Sequence, residues 1–301
     1  MNNQRLISFD IQADFGFFKK PDYNDGVLLT YNMLHKPALL GILGAIIGLR
    51  GYRKKGEWPE YYQRLAALPV GIEPLEGRHE KGNFQKTIVK YTNTVGYANQ
   101  DGNLLVEESM LIRPAYRCYL LLSEEHPDHR KLYEYIREGW AEYIPYLGKN
   151  EYPAWFGDSF REYAFKTFVP ETDFRVSSLF IKEGVLKGQQ VKASFSFSLK
   201  GIVNRGSFVY FERLPVGFHP VLMQYELADF AFTDWTLQAA TQMVNLYQLE
   251  EEGKIFVLRP QMKTVSRLER NADTLTDFYN HGYNYMKKQY HNLLEYLQKE
   301  E

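Results

Sequence analysis

Cysteine is nearly absent from this sequence, and Cys118 is the single one among 301 residues. A lone cysteine excludes an intrachain disulfide and a cysteine-rich zinc site. The residues around it, Tyr116 to Leu122, have the apolar character of a buried strand. The pattern therefore favours a core thiol over a catalytic nucleophile.

Long apolar runs are absent as well. The most apolar stretch, 37–49, is interrupted by three glycines and is shorter than the roughly 20 residues that a membrane-spanning helix requires. Residues 1–5 lead directly into a strand pattern, without the features of a signal peptide. We therefore expect a cytoplasmic protein with no membrane partner.

Neither sign of charge dominates, since the net charge is −1. A surface that binds nucleic acid must then be a local basic patch on a balanced background. Aromatic residues make up 16% of the chain and include 23 tyrosines, a residue that suits a core or an interface because its ring is apolar and its hydroxyl is polar.

Cofactor and metal motifs are also missing. The sequence has no phosphate-binding P-loop and no dinucleotide-binding glycine fingerprint. The histidines do not form a metal-ligand pair at helical spacing, and the acidic residues are scattered instead of paired as in a two-metal nuclease. We expect no cofactor and no metal.

The first half of the chain alternates strand and helix patterns. A helix is predicted to begin at Pro37, because proline suits the first helical position, and its nearly uniform apolar character predicts burial. Gly41, Gly44 and Gly48 share one face of it, which indicates close approach of another backbone, and packing against a sheet is the favoured interpretation. The other predicted elements are strands 6–18 and 28–31, a helix over 58–67, a strand over 112–122 and a helix over 128–139.

A long polar insertion lies between these elements. Segments 85–94 and 103–106 alternate in the manner of strands, and the Asp101-Gly102 pair between them is typical of a hairpin turn. The order of elements predicts an α+β fold of the ferredoxin-like or RRM-like kind, with an inserted β-hairpin at about 75–110.

The second half reads differently. Its candidate strands are 174–180, 191–199, 208–213, 222–227 and 255–258. Apolar residues then recur at helical spacing over 262–301. We predict an RRM-like domain over 1–153, a smaller β-rich domain over 154–260 and an amphipathic helical tail over 261–301.

Several segments resemble one protein family. They are Phe9-Asp10-Ile11, the run 15–21 (FGFFKKP), Leu29-Thr30-Tyr31, the run 35–49 (HKPALLGILGAIIGL), the run 112–117 (IRPAYR), the run 145–153 (PYLGKNEYP) and, more weakly, the run 211–215 (FERLP). In combination, over roughly residues 6–258, they resemble the Cas-five family. These proteins are subunits of type I CRISPR Cascade complexes and belong to the RAMP superfamily. The N-terminal segment is similar to that of type I-B members of the family.

The resemblance implies a modified RRM domain (the RAMP domain) followed by a smaller β-rich domain. It also implies a crRNA-binding subunit that caps the 5′ handle of the crRNA in antiviral defence. The inserted hairpin would act as a thumb over the RNA, and the Cascade backbone subunit and large subunit would be partners. In subtype I-C the family member also cuts the precursor RNA.

The helix that begins at Pro37 offers the best candidate for RNA contact. Its N-terminus presents unpaired N–H groups that suit a phosphate, and Lys36 adds a full charge, although a surface lysine before a core helix would look the same. The inserted segment mixes cations, amides and tyrosine, as single-stranded RNA sites do, and a solvated hairpin is the alternative. The predicted RNA-binding residues are Lys20, Tyr31, Lys36, Arg78, Lys81, Lys86, Lys90, Tyr91, Arg113 and Arg117.

A metal-independent endoribonuclease is the second hypothesis. Such an enzyme needs a general acid and base, for which histidine is the usual residue near neutral pH. His35 and His79 are present, together with Tyr31 and Lys36, but their spacing does not require catalysis. A non-catalytic RNA-binding subunit is the favoured interpretation.

Overall fold

The computed structural model describes residues 3–21, 26–78, 80–93, 104–167, 174–181, 209–234 and 271–298. The chain divides into two compact units, residues 1–240 and residues 241–301. The fold is mixed α/β, with several antiparallel sheets and a C-terminal helix. No helix in the described ranges combines the length and the apolarity needed to cross a membrane.

Strands and helices are each numbered in chain order. The strands are β1 (Gln4–Ala13), β2 (Phe15–Gly16), β3 (Phe18–Lys19), β4 (Val27–Leu28), β5 (Thr30–Tyr31), β6 (Val70–Pro74), β7 (Lys86–Asn93), β8 (Leu104–Ile112), β9 (Ala115–Ser123), β10 (Ala154–Phe156), β11 (Arg161–Tyr163), β12 (Phe180–Ile181), β13 (Val209–Phe218) and β14 (Tyr225–Thr233). The helices are α1 (Lys36–Ile47), α2 (Glu60–Leu65), α3 (Pro127–Glu138) and α4 (Ala272–Gln298).

The largest sheet places β1 and β9 at its centre. Its order is β10-β1-β9-β6, every pairing is antiparallel, and β11 pairs with the other end of β1. From Tyr116 to Ser123 of β9, buried and half-buried positions alternate, as expected of a strand with one face on the core. Cys118 lies at one of them and is fully buried, which raises the pKa of its thiol and confirms the prediction of a core residue.

Helix α1 begins at Lys36, one residue before the predicted start at Pro37. Its N-cap is His35, whose Nδ1 accepts a hydrogen bond from the Ala38 N–H at 3.4 Å. Gly48 ends the helix in the left-handed conformation at φ +82°. Eight of its twelve residues are buried, Leu39 and Leu43 among them, so little of the helix is in contact with water.

The glycine face of α1 receives another helix instead of the sheet that the sequence favoured. A Cβ on Gly44 would lie 2.5 Å from the Cβ of Tyr61, and Gly41 faces the Tyr61 ring at 3.8 Å. Tyr61 belongs to α2. Because Gly41 and Gly44 have no side chains, Tyr61 brings α2 closer to the α1 backbone than a larger residue at either position would permit.

The inserted segment forms the predicted hairpin. β7 and β8 pair antiparallel from Lys86 opposite Leu111 to Asn93 opposite Leu104. The predicted turn lies in 94–103, outside the described residues. Beyond the hairpin, β8 also pairs with β2 and, in parallel, with β4.

A three-stranded sheet of order β12-β14-β13 follows in the chain. The predicted strand 208–213 lies at the start of β13, and the predicted strand 222–227 overlaps the start of β14. Of the predicted strand 174–180, only its end belongs to β12. The predicted strands 191–199 and 255–258 lie outside the described residues, as does the first part of the predicted helix over 262–301.

Candidate nucleic-acid interface

A groove of about 1200 Å³ runs along one side of α1 in the first unit. Its floor includes Pro37, Ala38 and Gly41 of the helix. Loops 49–53 and 143–149 form its walls, together with Phe218 and Tyr225 from the neighbouring ends of β13 and β14. Small residues on α1 give the groove its depth.

Loop 143–149 is held in place by backbone hydrogen bonds. The Phe17 N–H donates to the Leu147 carbonyl at 3.0 Å, and the Ala154 N–H donates to the Pro145 carbonyl at 2.9 Å. Gly148 has φ +90°, and a Cβ there would lie 1.8 Å from the Phe17 carbonyl oxygen. Only glycine fits at this position, so the wall of the groove is set by backbone geometry.

Three cations of the groove are exposed, and their charged side-chain groups form no salt bridge among the described residues, although the Arg50 backbone N–H donates to Glu60 at 3.2 Å. Lys19, Arg50 and Arg53 line it, and within the described part of the chain none of them makes a salt bridge within 4.0 Å. Lys149 also lines the groove, but its Nζ lies 2.8 Å from Oε2 of Glu108, which is 7% exposed. The groove therefore carries positive charge that nearby acids leave available for an anion.

Aromatic side chains stand beside these cations. Tyr52, Tyr143 and Tyr146 line the groove and are 57%, 58% and 44% exposed. Ile144, between two of them, is 76% exposed. Large rings left in water next to unpaired cations are typical of surfaces where the bases of a single strand stack while its phosphates are neutralised.

His35 lies beneath the groove, and its ring is only 4% exposed. It packs edge-on against Phe18, Tyr31 and Tyr225 at ring distances of 5.9, 5.3 and 5.5 Å. Burial lowers the pKa of His35 to about 3, so the imidazole is neutral at pH 7. With Nδ1 capping α1, the residue positions the helix and is poorly placed as a general base for RNA in the groove.

A buried carboxylate fixes the chain just before α1. Glu212 of β13 accepts hydrogen bonds from the N–H groups of Asn32 and Met33, at 3.1 Å each, and from the Tyr210 hydroxyl at 2.7 Å. The Lys20 ammonium lies 3.3 Å from the same carboxylate. This set of contacts joins β13 to the segment that leads into the helix.

None of the ten sequence-predicted RNA-binding residues lines the groove, and several of them are paired elsewhere. Arg117 makes two hydrogen bonds to Asp10, at 2.7 and 2.8 Å, which raise the pKa of the guanidinium. Lys81 lies 3.0 Å from Glu73. These two cations are already engaged by carboxylates of the protein itself.

Lys20 and the two tyrosines predicted to contact RNA are engaged as well. Tyr31 is 2% exposed, and the Lys20 ammonium lies 5.1 Å from its ring centre. Tyr91 donates a hydrogen bond to Glu108 at 2.9 Å. Lys90 lies 2.6 Å from Glu107, the residue directly opposite it in the hairpin.

The four remaining predicted cations are without such partners among the described residues, and they lie at three separate places. Lys36 borders a cavity of about 350 Å³ lined mostly by apolar residues, where burial lowers the pKa of its ammonium. Arg78 and Arg113 share a separate cleft. Lys86 lies on β7 and is exposed as a residue. Partial burial around its ammonium group is nevertheless the main cause that lowers its pKa. His79, the second candidate of the ribonuclease hypothesis, lies outside the described residues.

Sequence reasoning missed the cations of the groove itself. Residues 50–55 read RGYRKK, so four of six carry positive charge and one is tyrosine. That local mixture is a signal for RNA binding that could have been found without a structure. Lys19 and the tyrosines at 143 and 146 have no comparable signal, because they join this run only through the fold.

Metal ligands do not converge in the described ranges. No group of three or more histidine, cysteine, aspartate or glutamate side chains is arranged there to hold a metal ion.

Comparison with known proteins gives matches over different parts of the chain. A family model described as "Domain of unknown function (DUF6363)" matches residues 240–298, which nearly coincides with the second compact unit. No curated protein is significantly similar to this chain in sequence.

Among solved structures, the chain is similar to a chain of a CRISPR RNA-guided surveillance complex, at 12% identity, 93% coverage of this chain, 99% coverage of that chain and a TM-score of 0.43. A chain of the type III-B Cmr-beta complex bound to cognate target RNA is 11% identical over 82% and 92% of the two chains, with a TM-score of 0.39. A CRISPR protein from Archaeoglobus fulgidus is 12% identical over 80% and 88%, with a TM-score of 0.34. These structural neighbours are CRISPR-associated proteins.

Proposed function

We propose that this chain is a non-catalytic RNA-binding subunit of a type I CRISPR interference complex and that the groove beside α1 holds the 5′ handle of the crRNA. The observation that carries the proposal is the set of three unpaired cations, Lys19, Arg50 and Arg53, among exposed tyrosines. Cations of this kind neutralise phosphates, and each base that stacks on an aromatic ring contributes about 1–3 kcal/mol.

The segments that resemble the Cas-five family support the same place on the molecule. Three of them, 15–21, 35–49 and 145–153, contribute residues to the groove. They are separated in sequence and meet only in the fold. A shared RNA site is a physical reason for these three segments to occur together.

The arrangement of the main sheet supports the RRM-like (RAMP) interpretation of the first domain. Its strands and helices follow the order β1, α1, β6, β9, α3, β10, and the sheet places β1 and β9 in the middle. That order is the β-α-β-β-α-β arrangement of ferredoxin-like folds. The β7–β8 hairpin, inserted between β6 and β9, is then the proposed thumb.

The remaining parts of the proposal rest on the sequence resemblance. They are the Cascade backbone subunit and large subunit as partners, and a cytoplasmic site of action. RNA contact by the hairpin also remains a proposal, for which Lys86 is the best-placed residue because it is exposed and has no salt bridge among the described side chains.

The test is a binding titration of the whole chain with repeat-derived RNA in EDTA, followed by a denaturing gel. We compare the wild type with the triple variant Lys19→Ala, Arg50→Ala, Arg53→Ala. The matched control removes three cations that are paired elsewhere, Arg5 with Glu124, Lys90 with Glu107 and Arg137 with Glu138. Both variants change the net charge by the same amount.

We expect the groove variant to bind RNA at least about tenfold more weakly, because each lost phosphate contact also loses counterion release. The control should stay within roughly threefold of the wild type, because screened surface pairs contribute little. Equal losses in both variants would show that net charge alone governs binding. Site-specific cleavage on the gel would replace the non-catalytic proposal with the endoribonuclease hypothesis.

A further inference from the structure

A second cleft, of about 590 Å³, lies where the end of β1 meets the turn between β8 and β9. Arg78, Arg113 and Trp155 line it, together with the carboxylates Asp14 and Glu76. None of these side chains lines the groove that the proposed function assigns to RNA. The cleft combines two guanidinium groups, two carboxylates and one large aromatic ring.

Arg113 is held in an unusual backbone conformation. Its φ is +49°, in the left-handed region that residues other than glycine rarely occupy. The Arg113 N–H donates to the Asp14 carbonyl at 2.8 Å, and the adjacent Ile112 N–H donates to the Gln85 carbonyl at 2.8 Å. Strained residues of this kind persist where the surrounding structure fixes them, and they cluster at binding sites.

Arg78 comes from a tight loop on the other side of the cleft. Its N–H donates to the Asn83 carbonyl at 3.0 Å, and the Gly82 N–H donates to the Glu76 carbonyl at 2.8 Å. A Cβ on Gly77 would lie 1.9 Å from the Glu80 carbonyl oxygen, so glycine is required for the loop to close. Backbone bonds therefore fix the positions from which both arginines project.

The two guanidinium groups and the two carboxylates of the cleft do not form salt bridges with each other in the described structure. Over the described ranges, neither Arg78 nor Arg113 has a carboxylate within 4.0 Å, although Asp14 and Glu76 line the same space. By contrast, Arg117 and Asp10, which face each other on paired strands, form a salt bridge at 2.7 Å. A ligand that offers both acceptors and donors could satisfy the two sets.

Trp155 supplies a stacking surface at the edge of the cleft. It lies on β10 opposite Gln12 of β1 and is 46% exposed. An exposed tryptophan face attracts the flat rings of nucleobases, and every base has such a face. The ring by itself selects no particular base.

We propose that this cleft binds a guanine base. The guanine O6 and N7 accept hydrogen bonds, which suits an arginine, and its N1–H and N2 amino group donate hydrogen bonds, which suits a carboxylate. Adenine presents an amino group in place of O6 and has no N1–H, so it cannot satisfy the arginine and the carboxylate in the same way. Trp155 stacks on the base in this arrangement.

The proposal deepens the proposed function, because it assigns one base of the bound RNA to a site outside the groove. The same chemistry occurs in a free guanine nucleotide. The probes are therefore guanosine monophosphate, adenosine monophosphate, and a repeat-derived RNA with and without its guanines replaced by adenine. The mononucleotides share a phosphate, so their comparison isolates the base.

The test is calorimetric titration of the whole chain. We expect guanosine monophosphate to bind about tenfold or more tightly than adenosine monophosphate, the discrimination that a bidentate arginine–guanine contact provides. Arg113→Gly removes the guanidinium while glycine retains the positive φ, and it should abolish the preference. The matched control is Asp158→Gly, at another non-glycine residue with φ +51°, and it should keep the preference.

Trp155→Ala should weaken binding of both nucleotides, and Trp155→Phe should largely retain it. Equal affinities for the two nucleotides, or an unchanged preference in Arg113→Gly, would overturn the guanine assignment. Failure of this inference is distinguishable from failure of the proposed function. The groove variant should still bind guanosine monophosphate, and the Arg113→Gly variant should still bind guanine-free RNA.

Discussion

The groove beside α1 and the β7–β8 hairpin carry similar residues, yet they differ in what those residues can bind. In the hairpin, Lys90 lies 2.6 Å from Glu107 and Tyr91 donates its hydroxyl to Glu108. In the groove, Arg50 and Arg53 extend from a loop and have no salt bridge in the described part of the chain. Availability of the cations, and not their number, distinguishes the two surfaces.

The cause is strand pairing. In an antiparallel hairpin each residue has a fixed neighbour across the ladder, and opposite charges placed there attract. Lys90 is directly opposite Glu107 in the register. A loop such as 49–53 has no facing strand, so its cations meet solvent unless a more distant acid approaches them.

The largest effect is expected where the backbone shapes the groove. Gly148→Ala should destabilise the protein by about 3 kcal/mol or more, because the new Cβ meets the Phe17 carbonyl oxygen and the residue keeps a positive φ. Gly139→Ala is the control, since its φ is +70° but nothing lies within 4 Å of the added Cβ. We expect it to cost about 1–2 kcal/mol in urea unfolding. Similar losses in the two variants would show that contact with Phe17 is unimportant.

The salt dependence of RNA binding should differ between the wild type and the groove variant. For single strands the log–log slope is about −0.7 per neutralised phosphate, so three to five contacts give roughly −2 to −3.5. Replacing Lys19, Arg50 and Arg53 with alanine should make the slope less steep by about 2, and affinity at low salt should fall about ten- to hundredfold. Filter binding from 50 to 300 mM salt measures both, and an unchanged slope would mean that these cations do not contact phosphate.

Acid should weaken the packing beneath the groove. The pKa of His35 is about 3 in the folded chain and near 6.5 in the unfolded chain. Between these two pH values the imidazole is protonated in the unfolded state and neutral in the folded state. Stability is therefore complete above pH 6.5 and declines as the pH falls toward 3. His35 should account for a loss of about 1.6 kcal/mol between pH 6.5 and pH 5.

The control for this pH effect is His35→Asn, which offers a cap acceptor but does not titrate. Urea unfolding at the two pH values should show a smaller loss in this variant than in the wild type. Parallel losses would mean that other groups, such as His129, cause the acid sensitivity.

The smallest effects are expected in the hairpin. Lys90→Ala breaks a surface pair and should lower stability by less than about 1 kcal/mol, with little change in RNA affinity. Lys86 lies four residues away on the same strand face and has no such partner in the described ranges. Lys86→Ala should therefore weaken RNA binding more, by roughly threefold for one phosphate contact. Equal effects of the two variants on RNA affinity would remove the distinction drawn from pairing.

Patterns within a few residues predicted much of the fold. The apolar run after Pro37 predicted a buried helix, although Gly48 ends that helix instead of lying on its glycine face. The alternation around Cys118 predicted a central strand. The hairpin followed from two alternating segments. In these cases the hydrophobic period and the local backbone preferences pointed the same way.

The candidate site was less predictable. Lys36 was the leading candidate because it precedes the helix, but it borders an apolar cavity instead of the groove. The prediction of a sheet against the glycine face failed because glycine spacing shows that something approaches closely without showing what it is. Tyr61 of α2 occupies that face.

The buried helix, the central strand and the hairpin were predictable because the preferences that form them act between residues close in the chain. Tertiary structure alone decided which charges remain available. Arg117 is engaged by Asp10, 107 positions away, and the segment before α1 is held by Glu212, about 180 positions away. Such contacts depend on how strands are paired and layered, and a charged residue carries no local sign of the partner that the fold will bring to it.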